Sequence, residues 1–257
     1  MVLSEISLFD FLLSFGYSAL ILVIAFRYRA SIRSYEHSKF LLPFIIYKLV
    51  FALLFVLIHI YIYKGGDTFL YFAGSNFLRE QVLNNPSESL TYLFGSLQDF
   101  ERVIFTANYG ILNAFNDSST LVQSQIGVIF TMISFEQFLC TNILFSAFSA
   151  IGIWAMFHTL CKLYPKISTA FAFGILFYPT VAIWGSGLLK DPIVLSSIGL
   201  IFHSTYRLTE RRKILSSSLW ILLSIIICLQ LKAYVLYTFI PAMLIWSQAR
   251  FSGKIKS

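Results

Sequence analysis

"ILSSSLWILLSIIICLQLKAYVLYTFIPAMLIW", residues 214–246, is an apolar run of 33 residues interrupted by one charge, Lys232. As a single helix it would measure roughly 50 Å at 1.5 Å per residue, well beyond the ~30 Å hydrocarbon core of a bilayer. Two short spans fit where one does not, and Lys232 is where they divide, into 214–231 and 233–247. A soluble domain has no use for such a run. The stretch therefore points to a multi-pass helical membrane protein.

The rest of the chain agrees. Of its 257 residues 58% are hydrophobic and 12% charged, against about 25% charged in a soluble domain. Further apolar runs mark spans near 8–26, 40–63, 137–160, 167–184 and 192–208, about seven in all. The expected fold is all-α: a polytopic transmembrane helical bundle forming one integral membrane domain over residues 1–257. Cys140, Cys161 and Cys228 all lie in apolar stretches, which excludes a secreted disulfide framework and gives no zinc spacing. Glu5 and Asp10 stand where a signal peptide carries basic residues, and the first run is long enough to span, so no cleavable leader is expected.

Loop charges set the expected orientation. With the N-terminus outside and the C-terminus inside, the inner loops hold 13 of the 19 basic residues and only two acids, Glu36 and Glu210. The outer side holds five basic residues and the other ten acids, and Lys48 is left within the second span. That is the bias of cytoplasmic loops. The net charge of +7 is then an effect of membrane orientation, and nucleic acid is not an expected partner.

Residues 64–136 form a first outer loop too long for a simple connector. Within it Leu90, Leu93, Phe94, Leu97, Phe100 and Ile104 share one helical face, as in a helix lying at the membrane surface. "TFLYFAGSNFLREQVL" and "LVQSQIGVIFTMISF" read as two more. Asn116 opens an "NDS" glycosylation match, a pattern common by chance.

Four charged residues from distant parts of the chain fall at the outer ends of spans: Asp67, Lys190, Asp191 and Lys232. Ionisable groups beside apolar segments are costly and tend to pair or to line a polar cavity. Two lysines suit an anionic substrate such as a lipid-linked phosphate, and a carboxylate can act as general base toward a hydroxyl. Each residue also has a plain structural reading. Asp191 before Pro192 is a helix start, the lysines can snorkel, and Asp67 after Gly65-Gly66 can cap. His59 stands about two turns before Asp67, within reach of the same place, although a lone histidine in a span is more often structural. Lys48 can snorkel inward and is given no role. Ser186, in "WGSG", resembles an intramembrane protease nucleophile, but Trp184 occupies a position where that motif needs glycine. His37, His158 and His203 map to the opposite side.

"GGDTFLYF" (residues 65–72), "FYPTVAIWGSGLLKDPIV" (177–194) and "LKAYVLYTFIPAMLIW" (231–246) resemble, in order and local pattern, bacterial multi-pass proteins of the GT-C glycosyltransferase and cell-surface polysaccharide type. That resemblance implies an inner-membrane enzyme that takes a sugar from a polyprenyl-phosphate donor and transfers it on the outer face. It implies Asp67 as catalytic base or as ligand to a divalent metal. Lys190, Asp191, Lys232 and His59 would then bind substrate, with Lys190 and Lys232 on the donor phosphate. The acid stands without a neighbouring Asp or Glu, one extra span precedes it, and such enzymes usually have more spans. Membrane lipid, the lipid-linked donor and a partner membrane protein are the expected partners. Two other readings stay open: a non-catalytic subunit or scaffold of a polysaccharide or export assembly, and a transporter or flippase of a lipid-linked substrate.

Overall fold

The computed structural model describes residues 6–99, 115 and 117–252. Among these residues the regular elements are all helices. Helix α1 is Leu8–Ser31, and α2 is Leu41–Leu57, continued by a π-helical turn, Ile58–Tyr63. Helix α3 (Asp67–Asn84) and the short α4 (Ser89–Phe94) follow, then α5 (Ser118–Ile133). Next come α6 (Phe138–Leu163), the short α7 (Ser168–Phe171) and α8 (Pro179–Trp184), α9 (Lys190–Thr209) and α10 (Ile214–Phe251). Four stretches are long and apolar enough to cross a membrane: Leu8–Ser31, Glu36–Tyr63, Phe138–Leu163 and Ile214–Arg250.

Much of this apolar surface faces outward. Leu8, Phe15, Phe26, Leu215 and Ile245 are between 62% and 77% exposed. In water, such faces would form apolar patches far larger than a monomer tolerates; in lipid they are simply solvated.

Helix α10 is nominally one element of 38 residues, but Lys232 within it has φ −149° and ψ 73°, outside the helical region. Its contacts show what that residue does. Ile214 follows the end of α9 by a short turn. Lys232 Nζ donates to Asp191 at the other end of α9 (2.6 Å), and Arg250 donates to Glu210 (2.6 Å) and Thr209 (3.2 Å), back at the first end. In a straight helix residues 214 and 250 would stand roughly 54 Å apart. The chain therefore folds back at Lys232, and both arms run along α9. Cys228 pairs with Ser197 on the first arm, and Trp246 packs 5.3 Å from Phe202 on the second. The division read from the sequence at Lys232 is a backbone turn.

Helices α6 and α9 run side by side in the same direction and very close. A Cβ added to Gly152 would fall 2.0 Å from the Ser196 carbonyl oxygen, and one on Gly199 would fall 2.1 Å from the Gly152 carbonyl oxygen. Small residues let the backbones meet, which is how helices gain dispersion energy where lipid supplies no hydrophobic drive. Helix α1 is tied to α6 by Asp10, whose buried carboxylate accepts from the backbone N–H groups of Leu139 and Cys140, both at 2.9 Å. An acid on one helix thus caps the orphan donors of another.

The structure departs from the sequence reading at three helices. The span expected at 167–184 is not one helix: it passes from α7 through a π-turn, breaks at Phe177 and Tyr178, and resumes at Pro179. Proline cannot continue a helix from the preceding turn, and the freed carbonyl of Phe177 accepts from the Tyr47 hydroxyl instead (3.0 Å). The third expected surface helix, α5, is packed inside the protein. More than half of it is buried, and Gly127 sits directly against Ser75 of α3. The expected helix along Leu90–Ile104 ends as α4 at Gly95, whose backbone is extended. The chain is helical again at residues 97–99, and residues 100–104, like Asn116, lie outside the described residues.

Candidate functional site

Tyr71, buried on α3 (5% exposed), is the centre of the charges singled out at the span ends. It stands one helical turn after Asp67, on the same face. Lys190 Nζ, at the start of α9, lies 5.4 Å from its ring centroid. The charges of Asp67, Asp117 and Asp191 all act on its hydroxyl. Burial first, and then those three carboxylates, push the Tyr71 hydroxyl far above the usual tyrosine range, so it remains a proton donor at any working pH.

Lys190 turns inward rather than toward headgroups. Its ammonium donates to the hydroxyls of Ser119 (2.5 Å) and Thr120 (3.2 Å) and lies 3.8 Å from Asp117. Asp117 is the N-cap of α5. It accepts from the Thr120 backbone N–H (2.9 Å) and from the Ser119 and Thr120 hydroxyls (2.6 Å each). Partial burial opposes its ionisation, but these bonds and the Lys190 charge hold its carboxyl at about 2. Asp191, next along α9, is bound by Lys232. Three of the four residues singled out in the sequence, Lys190, Asp191 and Lys232, therefore belong to one array.

Asp67 is the fourth, and it differs. It is the first residue of α3, exposed, after Gly66, whose φ of 112° only glycine adopts without strain. No hydrogen bond or ion pair engages its carboxylate among the described residues. His59 lies beneath this turn. Its Nδ1 donates to the Phe55 carbonyl (2.8 Å), and its ring packs 4.0 Å from that of Phe55. A Cβ on Gly66 would stand 3.9 Å from His59 Nε2. With Nδ1 so engaged, Nε2 faces the backbone just before Asp67.

Two further polar groups share these faces. Thr68 Oγ1 and both amide atoms of Gln123 are buried without a partner in the protein. Thr68 lies on the Tyr71 face of α3 and Gln123 one turn from Thr120 on α5. Buried polar groups are normally bonded, and these two are available to water or to a ligand.

Sequence reasoning missed Tyr71, Asp117, Ser119 and Thr120. Tyr71 was accessible through its i+4 spacing from Asp67, and Asp117 through the helix-start pattern "DSST". Lys48, read as snorkelling inward, does not reach the surface. Buried mid-helix in α2, it donates to the Gly185 carbonyl, which also accepts from Ser149 (3.1 Å). Asn142 Oδ1 accepts from the Leu188 backbone N–H (2.8 Å). The non-helical residues 185–189 before Lys190 are thus buried and held by α2 and α6, the one setting in which irregular backbone survives at membrane depth.

The donor set does not suit a divalent cation. No three His, Cys, Asp or Glu side chains cluster for one among the described residues. Asp117 and Asp191 are engaged by hydroxyls and ammonium groups. No family model, curated protein or solved structure matches the chain.

Proposed function

We propose that this protein is a glycosyltransferase-like enzyme of the bacterial inner membrane, taking a sugar from a polyprenyl-phosphate donor at the outer face. The observation that carries the reading is the gathering of Lys190, Asp191, Lys232 and Asp67 about Tyr71. In this reading the bundle crosses the membrane about seven times, with the α10 arms as the last two spans, N-terminus out and C-terminus in.

Each group has a task. Asp67, unpaired and exposed, takes the proton of the acceptor hydroxyl as its oxygen attacks the anomeric carbon. The bond from that carbon to the phosphate oxygen breaks, and polyprenyl phosphate leaves. Lys190 and Lys232 meet the departing phosphate. An ammonium has three N–H donors; Lys190 uses two on hydroxyls, and Lys232 uses two, on Asp191 and Tyr234, so each keeps one. Asp191 and Asp117 hold the lysines in place, and Tyr71 offers a neutral hydroxyl to a sugar or phosphate oxygen.

The test is transfer from polyprenyl-phosphate hexoses in proteoliposomes. Asp67→Asn abolishes transfer while insertion and thermal stability stay unchanged; wild-type turnover in that variant refutes the role of Asp67. A scaffold within a polysaccharide or export assembly is the second reading, because both lysines are already paired within the protein. It predicts that Lys190→Ala and Lys232→Ala lower stability and that the wild-type chain transfers no sugar.

A further inference from the structure

At the opposite end of the bundle, the structure holds a cavity in two parts. The first, of about 570 Å³, is apolar. Its floor is α6 with Ala25 and Leu41, including the buried Trp154, and its open side carries Ile24, Ile151 and Trp220, each exposed. It follows about three turns of α6 and ends at His158, His203 and Arg207. The second, of about 510 Å³, begins at the same His203 and Arg207 and is lined by Lys162, Arg212 and Lys213. Its one carboxylate, Glu210, is taken by Arg250.

The polar end is ready for an anion. Arg207 has no ion-pair partner among the described residues. Lys162, Arg212 and Lys213, which line the same chamber, likewise form no ion pair among the described residues. An apolar trough the length of a chain segment leads into a basic chamber. That is the complement of a molecule with an acyl tail and a phosphate head. Both compartments are of ordinary ligand size.

We propose that this cleft binds an anionic phospholipid, with one acyl chain along α6 and the phosphate at Arg207 and Lys162. The site is independent of the outer-end array, and neither stands or falls with the other. An acyl chain gains little on leaving one apolar medium for another, so selectivity rests on the head.

Trp154 reports directly on the floor of the trough. With Trp184, Trp220 and Trp246 replaced by Phe, its fluorescence is followed as phosphatidylglycerol brominated on its acyl chains is titrated into phosphatidylcholine vesicles. Saturable quenching at low mole fraction is expected, stronger than with brominated phosphatidylcholine. Arg207→Gln reduces that preference about fivefold, the worth of one basic residue at an anionic surface. Lys166→Gln, which removes an exposed charge at the same end but outside the cleft, leaves it intact. Equal quenching by the two lipids, equal loss in the two variants, or displacement by inorganic phosphate alone would overturn the proposal. Should the triple-Phe variant not fold, native mass spectrometry of the otherwise unaltered chain and its Arg207→Gln form makes the same comparison, with retained phosphatidylglycerol as the readout.

Discussion

Asp117 caps its own helix and receives the ammonium of another, and these two duties explain its low pKa. The folded value of about 2 lies below the ordinary ~3.9. Its stabilising contribution is therefore complete above about pH 4 and is lost as the pH falls through about 2. Asp117→Asn removes the part of the acid-induced fall in melting temperature that this residue supplies, leaving a shallower acid limb than the wild type; an unchanged limb contradicts the assignment. Asp10 makes the stronger prediction for stability. Asp10→Ala strands two buried N–H groups at the start of α6, costing about 2 kcal/mol, which thermal unfolding in detergent measures. Charges at span ends were legible because so few charges interrupt an apolar chain. Tyr71 and the buried role of Lys48 were not, because what gives them meaning is a partner elsewhere in the chain.

Among the helices, α10 is where sequence and structure inform each other most. A length argument divides the run at Lys232, and the backbone turns there. Spin labels at Leu215 and Gln248 should lie roughly 20–25 Å apart, about two helix diameters, rather than the ~50 Å of a straight helix. Pulsed dipolar spectroscopy separates the two. The α6–α9 seam gives a second test. Gly152→Val forces a side chain into the Ser196 carbonyl, and a large loss of folded protein is expected, while Gly174→Ala, where a Cβ meets nothing, is tolerated. The fourth run was misread for a physical reason. Its apolar composition suits a span, but the break before Pro179 is stabilised by Tyr47, and the buried turn after it by Lys48, Ser149 and Asn142. No local pattern reports such support. Helix α5 was read as a surface element from its apolar pattern, whereas most of it is buried against α3 and the bundle.

Across the whole molecule, the helices gather two distinct ends. One holds the Tyr71 array, and the other holds His37, His158 and His203, Arg207 and both extremities of α10. In the proposed topology, a cysteine at Ser87 reacts with an impermeant maleimide from outside, and one at Ser34 reacts only after permeabilisation. The native cysteines are buried and give little background. The outer end is where the account is most exposed to refutation. A photoreactive polyprenyl phosphate, cross-linked in the membrane and mapped by peptide sequencing, is predicted to mark residues 67–79, 117–125 and 190–192, and to lose that labelling in a Lys190→Ala, Lys232→Ala double variant that still folds. Labelling confined to the lipid-facing flanks of α1 and α10, unaffected by those substitutions, would contradict it.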